Sequence, residues 1–138
     1  MKLIIQIVFF CFMSSNLLAL QEDSKSFELT KEIITQQIEA FKIEDAEKAY
    51  FFAAPYIKIR FDNSDVFMKM VKENYEPVSN PKSFYFMNSK FLNGSIYHQL
   101  QIVSQSNKIY IATYSLTLSG SEWKISGCSL SLMDQKSV

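Results

Sequence analysis

The chain has 138 residues, with 14 basic and 14 acidic side chains, one histidine, two cysteines and three glycines. This neutral balance, with no basic run, gives no electrostatic hold on a phosphate backbone and no polybasic membrane patch, which excludes nucleic acid as a partner. From residue 20 onward there are one histidine and one cysteine, too few for a His/Cys metal set, and neither a glycine-rich phosphate loop nor a G-x-S-x-G elbow is present.

The N-terminus reads as a targeting segment. Met1-Lys2 is a short basic start, residues 3–13 are an apolar run, Ser14-Ser15-Asn16 breaks it, and Leu17-Leu18-Ala19 offers a small residue for cleavage. The run is about half the ~20 residues of a spanning helix. An uncleaved N-terminal anchor is the alternative, because Leu17, Leu18 and Leu20 partly extend the hydrophobic stretch. Residues 1–19 are therefore expected to be a secretory signal peptide, and the protein to be exported, periplasmic or secreted, with no membrane attachment after cleavage. Cleavage after Ala19 leaves 119 residues, the size of one domain, and removes Lys2 and Cys11. Cys128 is then the only thiol, so no intramolecular disulfide can form, and burial is the expected way of keeping it inert in an oxidising compartment.

Residues 20–29 are polar and mixed, and read as a short leader. Thr30 is a candidate cap for a first helix, in which Ile34, Ile38 and Phe41 form one apolar stripe flanked by Ile33. Asp45 is a good N-cap for a short second helix carrying Ala46, Ala49, Tyr50 and Phe52, which stops before Pro55. Residues 56–61 read as a short extended segment. Asn63 or Ser64 caps a third helix with Phe67, Met70, Val71 and Tyr75 on its buried stripe, and Pro77 and Pro81 end it.

From Lys82 onward the period becomes alternating. Residues 83–91, 95–104, 108–118 and 122–132 read as four strands, with Asn93-Gly94, residues 104–107 and Ser119-Gly120-Ser121 as turns. Gly127 sits where the last strand changes phase, and a bulge there would place Trp123, Ile125, Cys128, Leu130 and Leu132 on one face. The expected fold is α+β, with N-terminal helices packed on a curved antiparallel sheet of four strands or more. One domain is expected over residues 30–134, followed by a tail at 135–138.

Several of these stretches together resemble the domain of unknown function 4864 family. They are the aromatic-rich A-Y-F-F-A-A-P at 49–55, F-M-K-M-V at 67–71 and Y-E-P-V-S-N-P at 75–81. To these add Gln36-Gln37-Ile38-Glu39-Ala40-Phe41 upstream, and Gln99, Tyr114 and Trp123-Lys124-Ile125-Ser126-Gly127-Cys128 downstream. The resemblance runs from about residue 31 to 132. It implies a fold and carries over no catalytic residue. Three helices followed by a bent meander are similar to the cone-shaped roll of nuclear transport factor 2 (NTF2) and ketosteroid isomerase, an analogy that does not assign function.

Chemistry is sparse. Asp62/Asp65 flank a helix start, where acids complement the dipole, and Glu73/Glu76 fall on a polar helix side. His98 and Cys128 lie on strands separated by a third, about 9–10 Å apart and beyond hydrogen-bond reach. His98 is in phase with Ile96, Leu100 and Ile102, which suits a core or rim residue, and its relation to the Tyr110–Leu118 strand depends on the register set at 104–107. No metal site, cofactor or catalytic residue is assigned.

Three helices over a bent sheet leave a wedge. Tyr50, His98, Tyr110, Tyr114 and Trp123 are the residues expected near its walls, holding a small apolar ligand or supporting a protein partner; the competing reading is that these rings complete a solid core. A non-catalytic binding domain is the expected function. The alternative is a small pocket enzyme using His98, a tyrosine and a carboxylate for acid–base chemistry, of isomerase or hydrolase type. The lack of Asp or Glu inside any of the four strands favours binding. For export, intact-mass measurement of protein from the periplasmic or secreted fraction is expected to give a chain beginning near Leu20. A full-length, membrane-retained product would overturn that expectation.

Overall fold

The computed structural model describes the backbone of residues 2–133 and the side chains of residues 16–133. The 135–138 tail and the side chains of the apolar run at 3–13 lie outside the described residues.

Helix α1 spans Lys2–Lys42. It does not begin at Thr30, and residues 20–29 are helical. Residues 1–42 contain no glycine or proline, so nothing in the backbone stops the helix between them. Thr30 has a different task from capping: its hydroxyl donates back to the carbonyl of Ser26 at 2.7 Å, four residues earlier. The side chains of residues 16–25 are exposed, whereas Thr30, Ile34, Gln37, Ile38 and Phe41 form the buried stripe. After Lys42 the helix closes with Glu44 at φ +60° and the amide of Asp45 donating to the carbonyl of Ala40 at 2.9 Å, a Schellman-type ending.

Helix α2, Ala46–Phe51, starts where Asp45 accepts from the amide of Lys48 at 3.0 Å, as the sequence predicts. Phe52, Ala53 and Ala54 then run beside the last strand, with the amide of Ile125 donating to Phe52 and that of Ala54 donating to Ile125, both at 2.8 Å. The expected extended segment at 56–61 is displaced by a helical turn, α3, Pro55–Lys58. Pro55 at its first position has the right φ and needs no amide hydrogen there. The extended stretch therefore lies just before the proline. Helix α4, Ser64–Asn74, is capped by Asn63, whose side chain accepts from the amide of Val66 at 3.0 Å, and it buries Phe67, Met68 and Val71. Pro77 opens a further turn, α5, Glu76–Ser79.

The four strands β1 (Ser83–Leu92), β2 (Ser95–Val103), β3 (Ile109–Ser119) and β4 (Glu122–Leu132) form one antiparallel meander in the order β1-β2-β3-β4. Asn93 and Gly94 both have positive φ, 51° and 78°, as a two-residue hairpin turn requires. The bulge in β4 falls between Ile125 and Gly127, and it aligns Trp123, Ile125, Cys128, Leu130 and Leu132 opposite Leu118, Leu116, Tyr114, Ala112 and Tyr110. A second bulge, not read from the sequence, lies at Met87 in β1. It shifts the phase so that Ser89 pairs with His98, while Phe86 and Phe84 pair with Leu100 and Ile102.

The core lies between this sheet face and the helices: Ile34, Ile38, Leu100, Ile102, Ala112 and Leu116 are wholly buried. The structure is an α+β roll with helices on one face of an open four-stranded sheet.

Candidate functional site

One row of side chains crosses the inner sheet face through otherwise apolar surroundings. Ser89 opposes His98, His98 opposes Tyr114, and Tyr114 opposes Cys128. The two halves of this row have different environments.

The first half is closed and satisfied. His98 is wholly buried; its Nε2 lies 2.7 Å from the Thr30 hydroxyl and its Nδ1 lies 2.7 Å from the Ser89 hydroxyl. The single hydroxyl hydrogen of Thr30 is directed to the Ser26 carbonyl. Thr30 must therefore accept from His98 Nε2–H, which leaves Nδ1 to accept from Ser89. One neutral tautomer satisfies all three groups. Phe27 and Phe86 close over the ring edge-on, at 6.0 and 5.7 Å between centroids. Burial, reinforced by the Lys31 ammonium, lowers the imidazole pKa to about 4.

The second half is open to a cavity of about 330 Å³ between β3–β4 and helices α1, α3 and α4. Its apolar wall includes Phe41, Phe61, Phe67, Met70, Val71 and Ile125. Its polar groups are few. Gln37 reaches it from α1, anchored by its amide donating to the carbonyl of Ala49 at 3.1 Å. Tyr56 donates to the carbonyl of Ser126 at the β4 bulge, and the Arg60 guanidinium lies 6.0 Å from the centre of the Tyr56 ring. Tyr114 is 1% exposed, and its hydroxyl is buried without a hydrogen-bond partner. Its polar neighbour is the Cys128 thiol, which is at most a weak acceptor and no substitute for an oxygen. Burial raises the Tyr114 pKa well above the usual phenol range and pushes the Cys128 thiol up to about 12. Both therefore remain protonated at neutral pH.

Of the five residues expected at the wedge, Tyr114 lines this cavity and the other four lie elsewhere. Tyr50 packs its ring 5.5 Å from Phe67 and donates its hydroxyl to the carbonyl of Lys58 at 3.0 Å. His98 is sealed beneath α1, while Tyr110 and Trp123 pack half-buried against the core. Gln37 and Arg60 were not singled out from the sequence. A glutamine inside the stripe of Ile34, Ile38 and Phe41 was a legible signal for Gln37. Arg60 carried none, because its place depends on the turn after Pro55. Among the described residues, no group of His, Cys, Asp and Glu side chains could hold a metal ion.

Two solved structures share this architecture. An NTF-2 like protein of unknown function from Silicibacter pomeroyi DSS-3 is 9% identical with a TM-score of 0.54, covering 80% of this chain and 98% of that one. A Bdellovibrio bacteriovorus protein is 15% identical with a TM-score of 0.52, covering 84% of this chain and 44% of that one. The fold is thus NTF2-like, and at these identities the likeness concerns fold alone. Over residues 22–138 the chain matches the domain of unknown function DUF4864, and it belongs to that family. No curated protein matches it.

Two solution properties follow. His98 is the chain's one histidine, so its ring protons report a single titration by NMR, with a midpoint expected near pH 4. The unfolded chain takes up that proton near pH 6.5, so between pH 6.5 and 4 the unfolded state binds more protons. The stability contributed by the neutral ring is complete above about pH 6.5 and declines as the pH falls toward 4. A denaturation midpoint that stays flat over that window, together with a ring titrating near 6.5, would contradict the sealed geometry. Cys128, held as the thiol, is expected to alkylate slowly at pH 8 in the native protein and rapidly in denaturant. Equal rates would show an accessible thiolate.

Proposed function

We propose that this is an exported binding domain whose cavity holds a small, mostly apolar molecule presenting a hydrogen-bond acceptor to Tyr114. The observation that carries the reading is the buried, unpartnered Tyr114 hydroxyl at an otherwise apolar cavity. Buried polar groups are nearly always paired, and leaving one unmade costs about 1–3 kcal/mol. A ligand oxygen accepting from Tyr114 removes that cost. The cavity volume falls at the lower end of the range for small-molecule sites, about 300–1,000 Å³.

Acid–base catalysis has less support. Among the described residues lining the cavity there is no Asp or Glu, and His98 is held neutral on the closed side of the row. Export is supported by the basic start and short apolar run. Residues 16–19 are exposed, so none of these four belongs to the packed core.

The test is Tyr114→Phe. In the free protein this variant is expected to be unchanged or up to about 1 kcal/mol more stable, because it deletes an unsatisfied hydroxyl. Native mass spectrometry of wild-type protein should reveal a co-purifying small molecule, or a thermal-shift screen should find one. At ~100 times its dissociation constant it adds roughly 2.7 kcal/mol to the wild type and less to the variant. A variant destabilised by several kcal/mol would mean that the hydroxyl already has a partner, and the reading would fail.

A further inference from the structure

Arg60 gives the cavity a second chemical requirement. Among the described residues it is the only charged side chain in the lining, it is exposed, and no carboxylate pairs with it. It stands over the face of Tyr56, whose hydroxyl is itself committed to the Ser126 carbonyl. The guanidinium therefore stands at the solvent side of the site, with its fork of donors free. Tyr114 lies at the buried side, with one donor free.

We infer that the ligand is a small amphipathic carboxylate bearing a second, uncharged oxygen acceptor at its far end: the carboxylate pairs with Arg60, an apolar middle lies against Phe61, Phe67 and Met70, and a carbonyl or hydroxyl oxygen accepts from Tyr114. This rests on the binding reading above and narrows it. A carboxylate fits a guanidinium in the two-point geometry that a single exposed lysine would not provide. It stays hydrated at the mouth, so its charge need not be desolvated. An anion at the buried end is disfavoured, since no cation lies there to neutralise it. At about 30 Å³ for each water-sized group, the cavity of about 330 Å³ accommodates about eleven such groups. That is the size of an oxo- or hydroxy-substituted acid of about eight carbons. A simple fatty acid would leave the Tyr114 hydroxyl facing methylenes, and a neutral ketone would leave Arg60 unused.

The experiment uses three probes of matched size, 7-oxooctanoate, octanoate and 2-octanone, titrated by calorimetry into the wild type, Arg60→Gln and Tyr114→Phe. The oxo acid should bind the wild type about tenfold more tightly than either partial probe, a fold-change typical of one charge-assisted or one otherwise unmade hydrogen bond. Arg60→Gln should weaken the oxo acid about tenfold and leave 2-octanone unchanged. Tyr114→Phe should weaken the oxo acid and 2-octanone, and leave octanoate unchanged. Arg60 is exposed and Tyr114→Phe preserves the ring, so both variants are expected to fold, and far-UV circular dichroism checks this. If 2-octanone binds as tightly as the oxo acid, or Arg60→Gln has no effect on the acid, the carboxylate assignment is overturned while cavity binding stands. If octanoate equals the oxo acid, the buried acceptor is overturned. If none of the three binds the wild type, the acid assignment is overturned, and the search for a co-purifying or thermally stabilising molecule decides the binding reading.

Discussion

Ser89, His98, Tyr114 and Cys128 face one another across all four strands, and the rest of the structure is arranged around the needs of these polar groups in an apolar layer. A buried imidazole is costly unless both nitrogens are paired. Three separate features meet that need at His98: the unbroken helix that carries Thr30 over the sheet, the bulge at Met87 that turns Ser89 inward, and the rings of Phe27 and Phe86 that exclude water. Removing either hydroxyl would leave a ring nitrogen stranded, and removing a ring would open the site to water. The continuity of α1 and the phase of β1 are thus coupled through one side chain.

The opposite end of the row is built differently. Tyr114 is buried and Cys128 partly so, yet the phenol hydroxyl meets no oxygen or nitrogen from the helices. The segment from Ala53 to Phe61 explains part of this. Its backbone is tied to β4 at Ile125, and Pro55 turns it into α3 immediately afterward. Tyr56 and Arg60 are therefore held at the β4 bulge and leave space beneath them. The bulge contributes as well, since it presents the Ser126 carbonyl to Tyr56. Bulges bend a strand locally, and a gap opens wherever large side chains do not fill the space between a sheet and its helices.

The long first helix has two characters. Its C-terminal half is cemented by Ile34, Ile38 and Phe41, and by Gln37 bonding to the Ala49 carbonyl. Its described residues from 16 to 25 touch solvent and include Leu17, Leu18 and Leu20, each at least two-thirds exposed. Among the described residues, no helix is long and apolar enough to cross a membrane.

Much of the architecture was legible because it rests on local chemistry. Asp45 and Asn63 cap their helices through bonds to amides three residues ahead, Asn93-Gly94 turns the first hairpin, and the phase slip at Gly127 is visible as a broken alternation. Where local rules misled, a tertiary contact had changed the outcome. Thr30 has the chemistry of a cap, but its hydroxyl is drawn to His98 within a helix that nothing upstream interrupts. Residues 56–61 alternate weakly, and the tie between Phe52–Ala54 and Ile125 decides where extension ends. The candidate site was the least legible part. Tyr114 was foreseeable as an inward tyrosine, whereas its missing partner is a property of what fails to approach it. Sequence determines which groups carry donors, apolar surface and turn geometry, because these belong to single residues and their neighbours along the chain. Strand register, the depth of His98 and the missing partner of the Tyr114 hydroxyl were decided only by tertiary structure, because each depends on distances between segments far apart in the chain.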